Sequence, residues 1–219
     1  QMWDSMISQE ETGFMDMVDY IISNKDYKKG IEVCGGFLNK HPQSALAYYL
    51  KGALYAQLLD ENEKDRSSYE EAEKAFKQSS ALENKNKLPR LALCKLYKDY
   101  DKHEEMIEIM KRMIAEINTP EVTESLLVFG KEYIDKYDWR KAKDVYGILI
   151  YYSPDNYKIN FYLGLALVKM GDENGAKRYF ARCEKFSKND VQMLYSLART
   201  YLYMQDIRSA HRLYEHIAK

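Results

Sequence analysis

Seven side chains offer nucleophilic, acid–base or metal chemistry near neutral pH: His41, His103, His211 and His216, with Cys34, Cys94 and Cys183. His211 and His216 are five residues apart, whereas an H-E-x-x-H ligand pair needs i and i+4 to bring both imidazoles to one helix face. They read as solvent-facing or capping residues. No glycine-rich phosphate loop and no G-x-S-x-G nucleophile turn occurs. Gly35-Gly36 lies inside a helical pattern, where each glycine costs about 1 kcal/mol relative to alanine. Either a ligand backbone approaches there, or the pair leaves room for a bulky neighbour such as Trp3. Asp60, Asn62 and Glu71 match three ligand places of a calcium loop, but Lys64 stands where an oxygen ligand belongs and Asp65 replaces the turn glycine. An ammonium beside the cation position repels the cation, so this segment reads as a solvated, charged connection of the kind that contacts partners. Together these residues predict no catalytic group, no metal site and no cofactor.

Recurrence, not reactivity, dominates the chain. A copy beginning near Tyr157 holds Leu163-Gly164, Leu167, Gly171, Ala176, Phe180 and Cys183. The same slots one period earlier hold Phe129-Gly130, Tyr133, Tyr137, Ala142, Tyr146 and Leu149, closed by Pro154. One period later they hold Leu197-Ala198, Tyr201, Gln205, Ala210, Tyr214 and Ile217. Apolar residues within each copy recur three and four apart, the spacing of one helix face. Each copy holds two such stretches, separated by a turn such as Met170-Gly171-Asp172.

Three upstream copies are more worn. One, from near Lys87, holds Leu93-Cys94, Tyr97, Met106, Met110 and Met113; methionine in the small slot predicts looser packing. Another, from near Ala45, holds Lys51-Gly52, Tyr55, Ala72, Phe76 and Ser79, with an insertion around Asp60 to Ser67. The first, from near Glu11, holds Met17-Val18, Ile21, Tyr27, Gly30, Cys34, Phe37 and Pro42. The prolines agree with this division: Pro42 and Pro154 follow second helices, Pro89 sits in a first turn, and Pro120 falls in a connection.

This slot pattern resembles the tetratricopeptide motif W-x2-L-G-x2-Y…A-x3-F…P, whose period is 34 residues. The resemblance spans residues 11–219, with repeats near 11–44, 45–86, 87–120, 123–156, 157–190 and 191–219. An N-terminal capping segment, 1–10, precedes them and carries Met2, Trp3, Met6 and Ile7. The resemblance implies an all-α fold, an α-solenoid of about six helix-turn-helix repeats coiled as a right-handed superhelix. No stretch alternates with β-branched residues as a strand would.

Composition narrows the partners. Hydrophobic residues make up 46% of the chain, enough for a core, and the net charge of −1 argues against general nucleic-acid binding. No apolar run is long enough to span a membrane, and no signal peptide is visible. The chain opens Gln1-Met2-Trp3 and ends directly after the sixth repeat, so it reads as a fragment or as an array whose last repeat pairs with another chain. The three cysteines lie two repeats apart in core slots. Packed helices stand roughly 8–10 Å apart, too far across two repeats for a disulfide. Three buried free thiols, and with them a reducing, cytoplasmic compartment, are the expectation.

In the tetratricopeptide family the first helix of each repeat lines a concave groove, and the resemblance carries this onto Tyr49, Leu50, Leu91, Lys95, Leu127, Lys131, Phe161, Tyr162, Lys169, Tyr195 and Arg199. That groove is apolar and aromatic through its middle, with cations along the later repeats, and suits an apolar stripe with acidic flanks on a peptide or helical partner segment. Each groove tyrosine either faces the ligand or packs on the neighbouring helix. Some family members grip a chaperone's C-terminus with a basic clamp; Met15, Asp19 and Leu50 stand at those slots here and do not form one. The expected function is therefore a non-catalytic scaffold or adaptor for another protein. The alternatives are a structural component of a larger assembly, joined through terminal or convex surfaces, and a regulatory domain of a larger enzyme.

Overall fold

A computed structural model describes residues 9–61, 65–187 and 190–218. Among these residues the chain is all-α, with twelve helices: α1 (Gln9–Ser23), α2 (Tyr27–Lys40), α3 (Ala45–Glu61), α4 (Arg66–Leu82), α5 (Lys87–Asp99), α6 (His103–Glu116), α7 (Pro120–Asp135), α8 (Trp139–Tyr152), α9 (Tyr157–Lys169), α10 (Glu173–Phe186), α11 (Val191–Tyr203) and α12 (Ile207–Ile217). Contacts group the chain into two units, Gln1–Ile117 and Asn118–Lys219. The expected capping residues Met2, Trp3, Met6 and Ile7 lie outside the described residues.

Five of the six hairpins are punctuated by the same backbone turn. Between their first and second helices stands a residue with left-handed backbone: Lys25, Asp101, Tyr137, Gly171 or Gln205, with φ between 56° and 87°. The next residue caps the second helix. Asp26, Asp138, Asp172 and Asp206 each accept a backbone N–H three residues on, and Asp65 does so for Ser67 and Ser68. Lys102 occupies this place before α6 and makes no side-chain cap. First helices begin on Asn86, Thr119, Asn156 and Asp190, whose side chains cap α5, α7, α9 and α11. Pro120 is the first residue of α7 rather than part of a connection, because Thr119 supplies the cap and the N-terminal turn needs no proline N–H.

In three hairpins a glycine on the first helix receives a large ring from the second. An added Cβ would lie 2.7 Å from Phe76 at Gly52, 2.6 Å from Tyr146 at Gly130 and 2.5 Å from Phe180 at Gly164. The helices approach closely because that volume is absent. Between hairpins, Gly30 of α2 leaves similar room for Leu54 of α3, at 2.9 Å. In the third repeat, Met106, Met110 and Met113 are all fully buried.

Each hairpin also packs on the next within its unit. In unit 1, Phe14, Val18, Cys34 and Leu38 join Ala47 and Leu54 in one core. In unit 2, Phe161, Phe180 and Cys183 join Met193, Leu197, Tyr201 and Leu213. First helices meet directly, α3 with α5, α7 with α9, and α9 with α11. Two buried polar residues share the slot where the tetratricopeptide motif has tryptophan. Arg90 binds Ser80 Oγ through Nε at 3.0 Å and Glu116 through Nη2 at 2.5 Å, while the Asn160 amide donates to the carbonyls of Pro154 and Asn156, both at 2.8 Å. Both pin the chain near the first helix's start by hydrogen bonds instead of a ring.

Candidate functional site

Superposing slots, not numbers, shows what the first helices present. Ala53, Lys95, Lys131, Leu165 and Arg199 occupy one slot; Leu50, Ala92, Val128, Tyr162 and Ser196 another; Tyr49, Leu91, Leu127, Phe161 and Tyr195 a third. Lys169 falls four residues beyond the cationic slot, where its counterparts are Asp99, Asp135 and Tyr203. The cations therefore do not form a single file.

In unit 1 this face holds a recess of about 680 Å³ lined by Tyr49, Ala53, Ala56, Gln57, Leu59, Asp60 and Phe76, with Ala92, Lys95, Leu96, Asp99 and Tyr100 opposite. The Tyr49 ring leans on Phe76, with centroids 6.0 Å apart, and burial pushes its hydroxyl above the usual tyrosine range. Lys95 is exposed. Leu50 turns away from the recess and packs on the unit 1 core; Leu91 is half-buried.

Unit 2 separates the expected site residues into two groups. Leu127 and Phe161 are only 7% and 6% exposed, and Phe161 belongs to the core with Met193 and Leu194 of α11. They support the face from beneath and present little surface. Tyr195, at the same slot, is 48% exposed and rests edge-on against Tyr214, 5.7 Å away. Tyr162 stacks on buried Tyr146 with centroids 5.3 Å apart and planes 18° from parallel. Its hydroxyl is pushed up by burial, against the pull of the nearby Lys131 ammonium. Lys131 pairs with Asp135 one turn along α7. The Lys169 ammonium sits 3.6 Å from the ring centroid of Tyr203, a cation–π contact between adjacent repeats. Arg199 is exposed.

The remaining reactive groups are engaged elsewhere. Cys34, Cys94 and Cys183 are free and fully buried, and burial pushes each thiol up to about 12, far from the thiolate a nucleophile needs. His41 stacks on Phe37 and approaches Glu10 at 3.2 Å; exposed His211 lies 3.6 Å from Glu215. Among the described residues no group of three or more His, Cys, Asp or Glu is placed to hold a metal ion. Of the calcium-loop resemblance, Asn62 and Lys64 lie outside the described residues, and Asp65 serves as the cap of α4. A Cβ on Gly35 or Gly36 would meet no described atom within 4 Å, so neither glycine makes room for a described neighbour; Trp3 is outside the described residues. No helix among the described residues is long and apolar enough to cross a membrane.

No protein-family model and no curated protein matches the chain. Solved structures do. The crystal structure of MamA protein matches with a TM-score of 0.53 at 18% identity, covering 83% of this chain and 93% of that one. PilW, described as a widely conserved type IV pilus biogenesis factor, matches at 0.50 and 13% identity, covering 94% and 91%. A chain of the Naa15/Naa10 complex bound to HypK-THB matches at 0.54 and 16% identity, covering 94% of this chain and 31% of that one. At these identities the likeness concerns the fold: a tetratricopeptide-like all-α array of helical hairpins.

Proposed function

We propose that the chain is a non-catalytic protein-interaction scaffold that holds a partner segment against the face of its first helices. The observation that carries this reading is a surface with accessible rings already held in place. Tyr195 rests on Tyr214 and Tyr203 lies under Lys169, yet Tyr203 remains 61% exposed. Rings fixed before binding lose little rotamer freedom on contact, which is what makes aromatic residues effective anchors. Lys169 and Arg199 stand among these rings and favour a segment with an apolar stripe and acidic flanks. Unit 1 has its own open recess between α3 and α5, lined by Tyr49 and Phe76 among others.

A second reading, a structural part of a larger assembly, draws on exposed Tyr151 on α8 and Ile207 on α12, away from the first helices. Self-association through the last repeat belongs to this reading. The match to one chain of the Naa15/Naa10 complex is compatible with either.

Capture from native lysate by cross-linking, followed by mass spectrometry, compares wild type with the double variant Tyr195→Ala/Tyr203→Ala. Tyr162 is unsuitable for this purpose because its ring packs on buried Tyr146. Partners lost by the variant while the helical circular dichroism is unchanged support the first-helix face. Retention of every partner moves the role to the other surfaces.

A further inference from the structure

We propose that the outward face of the second helices of unit 2, α8, α10 and α12, binds single-stranded nucleic acid, its cations on the phosphates and Tyr151 against a base. This goes beyond the scaffold reading and uses a face away from the first helices.

Charge is unevenly placed along the chain. α8, α10 and α12 carry nine Lys and Arg against four Asp and Glu. The first helices of unit 2 carry four against four, and the second helices of unit 1 carry eight against eight. The net charge of −1 therefore averages a basic face with an acidic remainder. A basic stripe along one helix face, not the total, is the footprint a polyanion reads. On α10 the exposed positions after Glu173 are Asn174, Lys177, Arg178, Ala181, Arg182 and Lys185, with four cations and no carboxylate.

Most of this positive charge is unmatched. Arg182 lies 3.6 Å from Asp155, Lys141 lies 3.6 Å from Asp138, and Arg212 binds Glu184. Arg140, Lys143, Lys177, Arg178, Lys185 and Arg208 make no ion pair among the described residues. Of the four carboxylates, Glu184 holds Arg212, Glu215 lies 3.6 Å from His211 and Asp144 is engaged, which leaves Glu173. The same contacts join the helices into one face. Arg212 with Glu184 ties α12 to α10, and Asp155, four residues beyond Tyr151, ties the end of α8 to α10.

Tyr151 supplies the second half of the chemistry. At 80% it is the most exposed of the large apolar side chains described, and its ring rests edge-on against Tyr152 with centroids 5.0 Å apart. Phosphates take the ammonium and guanidinium groups, and an unstacked base takes the open ring. A duplex keeps its base faces stacked and offers Tyr151 none. A protein partner fits less well, because interface centres are apolar and depleted in lysine, and Ala181 is the only apolar residue of the α10 stripe.

Fluorescence anisotropy of the full chain with a labelled oligo(dT) of about 20 nucleotides tests this. Wild type should bind at low salt, with log K falling against log salt by about 0.7 for each phosphate contacted. Lys177→Gln/Arg178→Gln/Lys185→Gln should weaken binding at least about tenfold and flatten that slope by about 0.7 per contact removed. Tyr151→Ala should weaken it about fivefold or more at unchanged slope, the loss of one stacked base, and Tyr151→Phe should restore it. All four side chains are exposed, so the variants keep the fold, checked by circular dichroism. Tyr195→Ala/Tyr203→Ala should leave the binding intact, which separates this face from that of the first helices. Absence of binding by wild type overturns the proposal, as does binding that neither set of variants changes. A duplex bound as tightly as the single strand overturns it too. So does a polyglutamate peptide or a phosphatidylserine vesicle bound more tightly than oligo(dT) at equal salt, which would make the face a dock for an acidic protein or an anionic membrane.

Discussion

A Cβ placed on Gly164 would lie 2.5 Å from Cε1 of Phe180. The ring is fully buried and the glycine is helical on both sides, so neither can yield without moving a helix. Gly164→Ala gains about 1 kcal/mol in helix propensity, but overpacking a close-packed site costs typically 1–3 kcal/mol. The expected outcome is a net loss, read as a lower urea midpoint with unchanged slope. Gly164→Ala combined with Phe180→Leu should recover part of it, since the clash and not the glycine itself sets the cost.

Gly35→Ala and Gly36→Ala should act in the opposite direction. Both residues are helical in α2, and an added methyl at either meets no described atom within 4 Å. Each substitution lowers the entropy of the unfolded chain and should stabilise by about 0.4–1 kcal/mol. A rise in the thermal midpoint of either variant checks this. A fall would mean that some neighbour fills the space, and would favour the close-approach reading of the pair.

The contrast between these glycines shows what the sequence makes legible. The hairpins, caps and small-to-large slots follow from local spacing, so Gly130 with Tyr146 and Gly164 with Phe180 are visible as paired slots. The slots preserve size more than identity: the tryptophan place holds Arg90 and Asn160, buried through hydrogen bonds instead of ring packing. Which residues at a first-helix slot reach the surface is a different matter. Phe161 and Tyr195 share a slot, but Phe161 packs with Met193 and Leu194 of the following first helix. Burial there depends on the neighbouring repeat, which spacing within one repeat does not encode. The recess was hidden for a related reason: Ala53 and Ala92 become informative only when α3 and α5 face one another.

Asp190 links stability to pH. Its carboxylate accepts the Met193 N–H at 2.9 Å and the Tyr157 hydroxyl at 2.9 Å, tying α9 to the start of α11. The Met193 N–H first, and the Tyr157 hydroxyl with it, outweigh partial desolvation and hold the carboxyl below the usual aspartate range. The folded form thus binds its proton more weakly than the unfolded one. The contribution is complete above the unfolded value of about 3.9 and is lost as pH falls through the lower folded value. Asp190→Asn should retain a cap but flatten the acid dependence below about pH 4. Asp190→Ala should lose roughly 0.5–2 kcal/mol at neutral pH. Urea midpoints measured across the acid range check both.

Tyr146 and Tyr97 predict opposite responses to losing a hydroxyl. Tyr146 is fully buried between Gly130 and the Tyr162 ring, and its hydroxyl has no hydrogen-bond partner among the described residues. Burial pushes that hydroxyl well above the tyrosine range. Phenylalanine already fills the same slot at Phe76 and Phe180. Tyr146→Phe therefore removes a stranded polar group while keeping the ring stack, and should stabilise by about 1 kcal/mol. Tyr97 instead donates to the Glu73 carboxylate at 2.7 Å. Tyr97→Phe deletes a charge-assisted bond and leaves Glu73 with its Lys77 contact alone, for a loss of about 1.5–3 kcal/mol. At this chain length a kilocalorie moves the thermal midpoint by roughly 2–4 °C, so the two variants should melt on opposite sides of wild type. A Tyr146→Phe variant that melts lower would show that the buried hydroxyl is satisfied, most simply by an ordered water.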